Sequence, residues 1–164
     1  MRAGWLLCQS QKRGDKVGVS RAGLTSKRHV VVDGQGIPLG LHFDSGAVHD
    51  LKAALPTLQS ICVPRRWGRP RVRPGGLAAD KGYDSIAFRS YLASRGIRHS
   101  IPTRRGAVRH FQTHREISSH RWKVERFFAW LNGFRRLGIR FERYSFIYHA
   151  FLILAAIMIT LRYF

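Results

Sequence analysis

Acidic residues are scarce in this chain of 164: 9 Asp and Glu stand against 29 Lys and Arg, a formal charge of +20. That imbalance excludes a self-neutralising surface and suits a polyanionic partner, because each phosphate a cation neutralises releases a condensed counterion. Nucleic acid is the leading partner, and an anionic membrane surface is the alternative. Cysteine is scarce as well. Cys8 and Cys62 lie far apart and form no CxxC pair, which excludes a disulfide framework and a zinc ribbon and fits a reducing cytoplasm. No GxxxxGK[ST] follows the turn glycines Gly34 and Gly36. No Ser-His-Asp or Cys-His arrangement stands out, and no segment repeats. The opening residues offer only Trp5-Leu6-Leu7-Cys8 as an apolar core, too short for a signal peptide.

Apolar residues make up 45% of the chain and aromatics 12%, enough for one domain with a core and too many for disorder. The longest apolar stretch is the tail "FIYHAFLILAAIMITLRYF". Between Phe146 and Leu161 only His149 and Thr160 interrupt it, which is shorter than the ~20 residues of a usual membrane span. Two readings stand, a buried core helix and a membrane-associated segment. The first requires the rest of the chain to supply a matching apolar surface.

The rest of the chain alternates between strand and helix patterns. Residues 1–26 are basic and glycine-rich without clear periodicity and read as irregular, so the domain is expected over 27–164. Val30-Val31-Val32, the turn Asp33-Gly34-Gln35-Gly36, and the alternating Ile37, Leu39, Leu41 and Phe43 predict a β-hairpin with one buried face. Pro38 puts the second strand at an edge or just past the proline. Leu51, Ala54, Leu55 and Leu58 recur at helical spacing behind Asp50 as N-cap. "PRRWGRPRVRPGG" is a basic loop, expected to be mobile when unbound. "GLAAD" predicts a short buried strand ending on Asp80. Asp84 can cap a helix from Ser85 to about Arg95, with Ile86, Phe88 and Leu92 inward and Gly96 as its stop. A strand over 97–101, a second basic loop, and helices over about 118–136 and 145–162 complete the order. Together these predict an α/β fold with a mixed sheet covered by helices.

Two acids occupy places where a solvated charge has no need to be. Asp80 ends a buried strand, where α/β folds commonly place their sites; it can equally cap the turn at Lys81-Gly82. Glu125 belongs to a strip of Arg121, Glu125, Asn132 and Arg136 beside an apolar face of Val124, Phe127, Phe128, Leu131 and Phe134. It can be a metal ligand flanked by phosphate-binding arginines, or half of a surface ion pair worth about 0.5 kcal/mol. Phosphoryl transfer on DNA can use two divalent metals about 4 Å apart, held by carboxylates. His110, His114 and His120 lie in a basic loop without cysteine partners and read poorly as a zinc site. Trp67, amid arginines, is the best of the four tryptophans for stacking on a base.

"LAADKGYDS" followed by "HRWKVERFFAWLNGFRRLGIRFER" resembles bacterial insertion-sequence transposases of the DDE type, within the insertion sequence 5 group. The resemblance runs from about Gly14 to the end and takes in "SKRHVVVDGQGIPLG" and "AFLILAAIMITLR". It implies an RNase H-like fold, and an Asp, Asp, Glu triad holding Mg²⁺ or Mn²⁺. It further implies cleavage at transposon ends and strand transfer into target DNA, in the bacterial cytoplasm at the nucleoid and not at a membrane. Asp80 matches the second Asp and Glu125 the Glu. Arg121 stands four residues before the Glu, as in relatives, and is carried over as a phosphate contact. Ser118 and Asn132 stand where many relatives have Tyr and Lys. Lys123, Arg126, Arg135 and Arg136 are further DNA-binding cations.

The resemblance also implies a first Asp on the strand leading into Arg2-Ala3, which this chain does not contain. The first strand is therefore expected to be missing or incomplete, with the aspartate upstream of Met1 in a longer frame. Asp33, Asp15, Asp44 and Asp50 are the acids within the chain that could substitute; Asp33 falls in a turn, Asp15 in a basic, glycine-containing segment, and Asp44 and Asp50 read as caps. The isolated chain is then expected neither to nick nor to join DNA without an upstream transposase segment, and a second transposase copy is a further partner. The competing reading is a non-catalytic DNA-binding relic.

Overall fold

The computed structural model describes residues 1–103 and 122–162. Its strands are β1 (Arg2–Ser10), β2 (Gly18–Ser20), β3 (Gly23–Val32), β4 (Pro38–Ser45), β5 (Gly76–Ala78), β6 (Arg98–Ser100) and β7 (Ile139–Arg140). Its helices are α1 (Asp50–Gln59), α2 (Ile86–Ser94), α3 (Trp122–Asn132), α4 (Arg135–Gly138) and α5 (Ser145–Leu161). All the strands join one mixed sheet. The path runs β2-β3-β1-β5-β6, with β4 on β3 and β7 on β1. β1 is antiparallel to β3 and parallel to β5, which is parallel to β6. Helices cover both faces of this RNase H-like mixed α/β sheet.

The sheet corrects two expectations. Residues 1–26 are not irregular, and a first strand is present at the centre of the sheet. β1 pairs with β3 from Arg2↔Val32 to Gln9↔Thr25, while β2 extends the edge beyond β3. The alternation that would mark β1 is missing because both its faces are covered. Leu6 and Cys8 join Val30, Val32, α3 and α5 on one face, whereas Ala3 and Trp5 join Val31, α1 and α2 on the other. A strand buried on both sides carries no polar face to betray its period.

The hairpin forms as its residues predict. Asp33 accepts backbone N–H bonds from Gln35, Gly36 and Ile37 through Oδ1, which fixes the turn. Pro38 opens β4 opposite Val32, where the register shifts. α1 is capped by His49 and not by Asp50: the His49 ring accepts from the Leu51 N–H. α2 is shorter than expected and leaves Ile86 exposed, while Phe88 and Leu92 are buried. Gly96, at φ +65°, adopts the left-handed conformation that ends that helix. The expected helix to 136 breaks at Gly133, a poor helix former, and Phe134 starts α4. Arg136 therefore leaves the strip that held Glu125 and Asn132.

The tail settles on the core. Tyr148, Leu152, Ala155, Ala156 and Ile159 of α5 pack beneath the sheet with Phe127, Leu131 and Leu137. Among the described residues no helix is long and apolar enough to cross a membrane. Several cations also turn inward. Arg28 donates to the Leu137 carbonyl and to Asn132 Oδ1, and Arg89 donates to Asp84 and to the Ile101 carbonyl. Arg140 is fully buried and donates to Ser26 and to the carbonyls of Asp15 and Glu142.

Candidate active site

The start of β1 lies between the segments that carry the two acids. Ala78 of β5 pairs in parallel with Arg2, and continuing that register by two residues sets Asp80 level with Gly4. On the helix side Gly4 is pressed by α3: a methyl in place of its hydrogen would lie 2.5 Å from Val124 Cγ1. Glu125 is the next residue on that helix. Asp80, two residues past the end of β5, and Glu125, in the first turn of α3, thus belong to the segments that flank the first residues of β1.

Asp80 is half-buried and precedes a 3₁₀ turn, Lys81–Tyr83, without capping it through its side chain. Asp80 occupies the cap position of that turn through its backbone, its carbonyl accepting from the Tyr83 N–H at 3.0 Å. Tyr83 closes that turn inside the core, its hydroxyl 3.0 Å from His29 Nδ1. Burial, and then the charges of Asp50 and Asp80, push the Tyr83 phenol well above its ordinary range. Burial, followed by the nearby His42 and Lys27, lowers His29 to about 3. At neutral pH an uncharged tyrosine and an uncharged histidine therefore face each other in the core.

A pair that the sequence concealed lies beside them. Lys27 on β3 is 2.7 Å from Asp50 and 3.0 Å from the Val48 carbonyl, with its ammonium 4.7 Å over the Trp5 ring. Both side chains are largely buried. Asp50 also borders the turn after Asp80: a methyl on Gly82 would approach Asp50 Oδ2 to 2.9 Å. Asp50 resembles a helix cap in sequence because it sits at the helix start. Its actual partner lies 23 residues earlier in the chain, and only strand register brings Lys27 to the same face as Trp5.

The expected DNA-binding cations are distributed unevenly. Arg121 and the histidines His110, His114 and His120 lie outside the described residues. Lys123 donates to the Gly34 carbonyl and Arg126 to the Gln35 carbonyl at 2.7 Å, tying α3 to the β3–β4 turn. The Arg126 guanidinium lies 4.7 Å from the Trp122 ring and 4.8 Å from that of Trp130. Arg136 pairs with Glu142 at 2.6 Å and lies over Phe151. Arg135 is exposed, and so is Trp67, at 83%. Glu125 is exposed as well.

The donor set bears on a metal. Asp80 and Glu125 offer hard carboxylate oxygens, and Mg²⁺ commonly takes one or two carboxylates with water and substrate phosphate as its remaining ligands. Each is a ligand of the type that such an ion takes. A two-metal clamp is not assembled, since among the described residues no group of three His, Cys, Asp or Glu could hold a metal. β1, the strand between the two acids, contains no acid.

The sheet order, with Asp80 just past β5 and Glu125 on the helix beside β1, defines a mixed α/β domain of the RNase H-like class. The chain belongs to the family described as Transposase DDE domain, whose model matches residues 4–161. It is 41% identical over 140 residues to a protein of Burkholderia cepacia named as a transposase for insertion sequence element IS402. That match covers 85% of this chain and 64% of the relative, so the chain spans somewhat under two thirds of that protein's length. It is 28% identical over 149 residues to a Brucella ovis protein named as a transposase for insertion sequence element IS6501, covering 85% of this chain and all of the relative. Members of this family generally use divalent metal ions.

Proposed function

We propose that this chain supplies the catalytic fold of an insertion-sequence transposase, acting on transposon ends and target DNA by metal-dependent cleavage and strand transfer. The reading is supported by the placement of Asp80 just past β5 and of Glu125 on α3, the two elements that flank the start of β1, in a chain of the DDE family. Asp80 and Glu125 would hold Mg²⁺ or Mn²⁺, which when bound polarises a phosphate and lowers the pKa of an attacking water. Lys123 and Arg126 fix α3, and so Glu125, against the hairpin turn, while Arg135 and Arg121 are the cations assigned to backbone phosphate.

The third acid of the triad comes from a transposase segment joined to, or paired with, this chain, and a second copy of the transposase is the expected partner in joining two ends. The reaction takes place on DNA in the bacterial cytoplasm. A second reading rests on the lack of an acid in β1: a non-catalytic relic that still binds DNA.

Two measurements separate these readings. Mn²⁺ titration of the chain, followed by the electron paramagnetic resonance of free Mn²⁺, should show one weak site. Asp80→Asn and Glu125→Gln should each weaken it by about tenfold, as loss of one of two charged ligands implies; wild-type affinity in both variants would remove them from the metal site. Supercoiled DNA carrying the gene's own flanks should stay uncut by the chain alone. It should be nicked with Mg²⁺ when the acid-bearing segment is supplied, and not when Asp80→Asn is used. Failure of the supplied segment to restore nicking would favour the relic.

A further inference from the structure

At the opposite end of β5 from Asp80, the loop between α1 and β5 forms a basic hairpin. Val63 and Arg71 exchange both backbone hydrogen bonds, at 3.0 and 2.8 Å, and Gly68 at φ +85° makes the tip. The segment expected to be mobile therefore has a closed base. Between it and the C-terminal ends of α1 and α2 lies a cleft of about 780 Å³. Arg65, Arg69, Arg71, Arg73 and Arg95 line it, and the lining includes no Asp or Glu. Among the described residues no carboxylate pairs with any of the hairpin arginines. Trp67, beside the tip glycine, is 83% exposed. Gly75 borders the cleft and Asp80 lies five residues further along, about 16 Å at strand rise.

We propose that this cleft is a second DNA-binding site, taking the phosphate backbone of an unpaired strand while Trp67 stacks on one of its bases. The assignment rests on the reading of the chain as a DNA-processing domain and deepens it. Guanidinium forks match phosphate oxygens in pairs, and five of them around one concavity have no internal anion to neutralise them. The cleft adjoins the carbonyl ends of two helices, which disfavour an anion, so the arginines must supply the attraction. The concave shape suits a strand, since a flat bilayer cannot enter it. An exposed indole on a bridged hairpin adds sequence-tolerant stacking, which a duplex with its bases paired does not offer. The site is separate from Asp80 and Glu125, so it holds DNA that is not being cut at that moment.

The test uses the whole chain, fluorescein-labelled oligo(dT) and a duplex of equal length, with heparin as a polyanion without bases. Binding is read by anisotropy across a salt series, with thermal melting as the folding control. The triple variant Arg65→Gln/Arg69→Gln/Arg73→Gln should bind oligo(dT) at least tenfold more weakly and flatten the log–log salt slope by about 2, at ~0.7 per phosphate contact. Trp67→Ala should weaken oligo(dT) by at least about fivefold, leave heparin unchanged, and be rescued by Trp67→Phe. Wild-type affinity in the triple variant would overturn the cleft and leave the proposed function standing. Equal weakening for heparin and oligo(dT), with no effect of Trp67→Ala, would overturn the unpaired-strand assignment. No DNA binding by the wild type would instead remove the reading on which the cleft rests.

Discussion

His29 shows how far burial can change a residue whose type promises little. Free in solution it would titrate near pH 6.5, but in the fold it binds a proton only at about 3, held down first by burial and then by His42 and Lys27. The unfolded chain takes up that proton earlier, so acid favours unfolding. The contribution is complete above pH 6.5 and is lost as pH falls from there toward 3, at about 1.4 kcal/mol per unit. His42 and His149 are shifted down too, mainly by burial, and act in the same direction. Thermal melting should therefore fall steadily between pH 6.5 and 5, and His29→Gln should flatten part of that decline; an unchanged slope would mean that His29 is not the buried neutral group described. The Lys27–Asp50 pair is the companion case. Its two ends are unremarkable in sequence, and removing either would leave an unpaired charge in a largely buried place.

Among the elements, β1 and α3 matter most because Glu125 is carried by α3 and Asp80 follows the strand paired beside β1. They approach closely only because residue 4 is glycine, and Val124 fills the space a side chain would take. Gly4→Ala should push α3 outward and cost about 1–3 kcal/mol, the usual effect of overpacking. Val124→Ala in the same chain should recover part of that loss, giving a coupling of about 0.5–3 kcal/mol. Gly34→Ala, where a methyl meets nothing within 4 Å, is the control. Denaturant unfolding of the four variants measures the cycle, and strict additivity would contradict the close approach. The hairpin was legible from its alternation and its Asp33 turn. β1 was not, because helices on both faces erase the polar half of the pattern. The break at Gly133 was also missed, since an apolar face continuing through Phe134 conceals one poor helix former.

For the whole molecule, two groups of cations among the described residues stand in contrast. Arg28, Arg89, Arg140 and Lys27 bond carbonyls, hydroxyls and carboxylates inside the fold, whereas the hairpin arginines face solvent. Only the second group can release counterions from DNA. Arg140→Lys should lower the melting temperature by at least about 4 °C, because one ammonium cannot replace several guanidinium bonds. The salt slope for DNA should remain that of the wild type. A reduced slope would place Arg140 among the DNA contacts.

The sequence by itself determined the basic character, the α/β class, the β3–β4 hairpin, the strand end at Asp80 and the helical setting of Glu125. Each of these depends on neighbours within a few residues, where periodicity and turn chemistry act. Tertiary structure alone decided that residues 2–10 run through the centre of the sheet, that Asp50 answers Lys27, that Lys123 and Arg126 brace the hairpin turn, and that a bridged loop gathers arginines around a cleft. Those outcomes depend on strand register and on which faces are covered. Contacts between residues far apart in the chain fix both, and local sequence patterns do not record them.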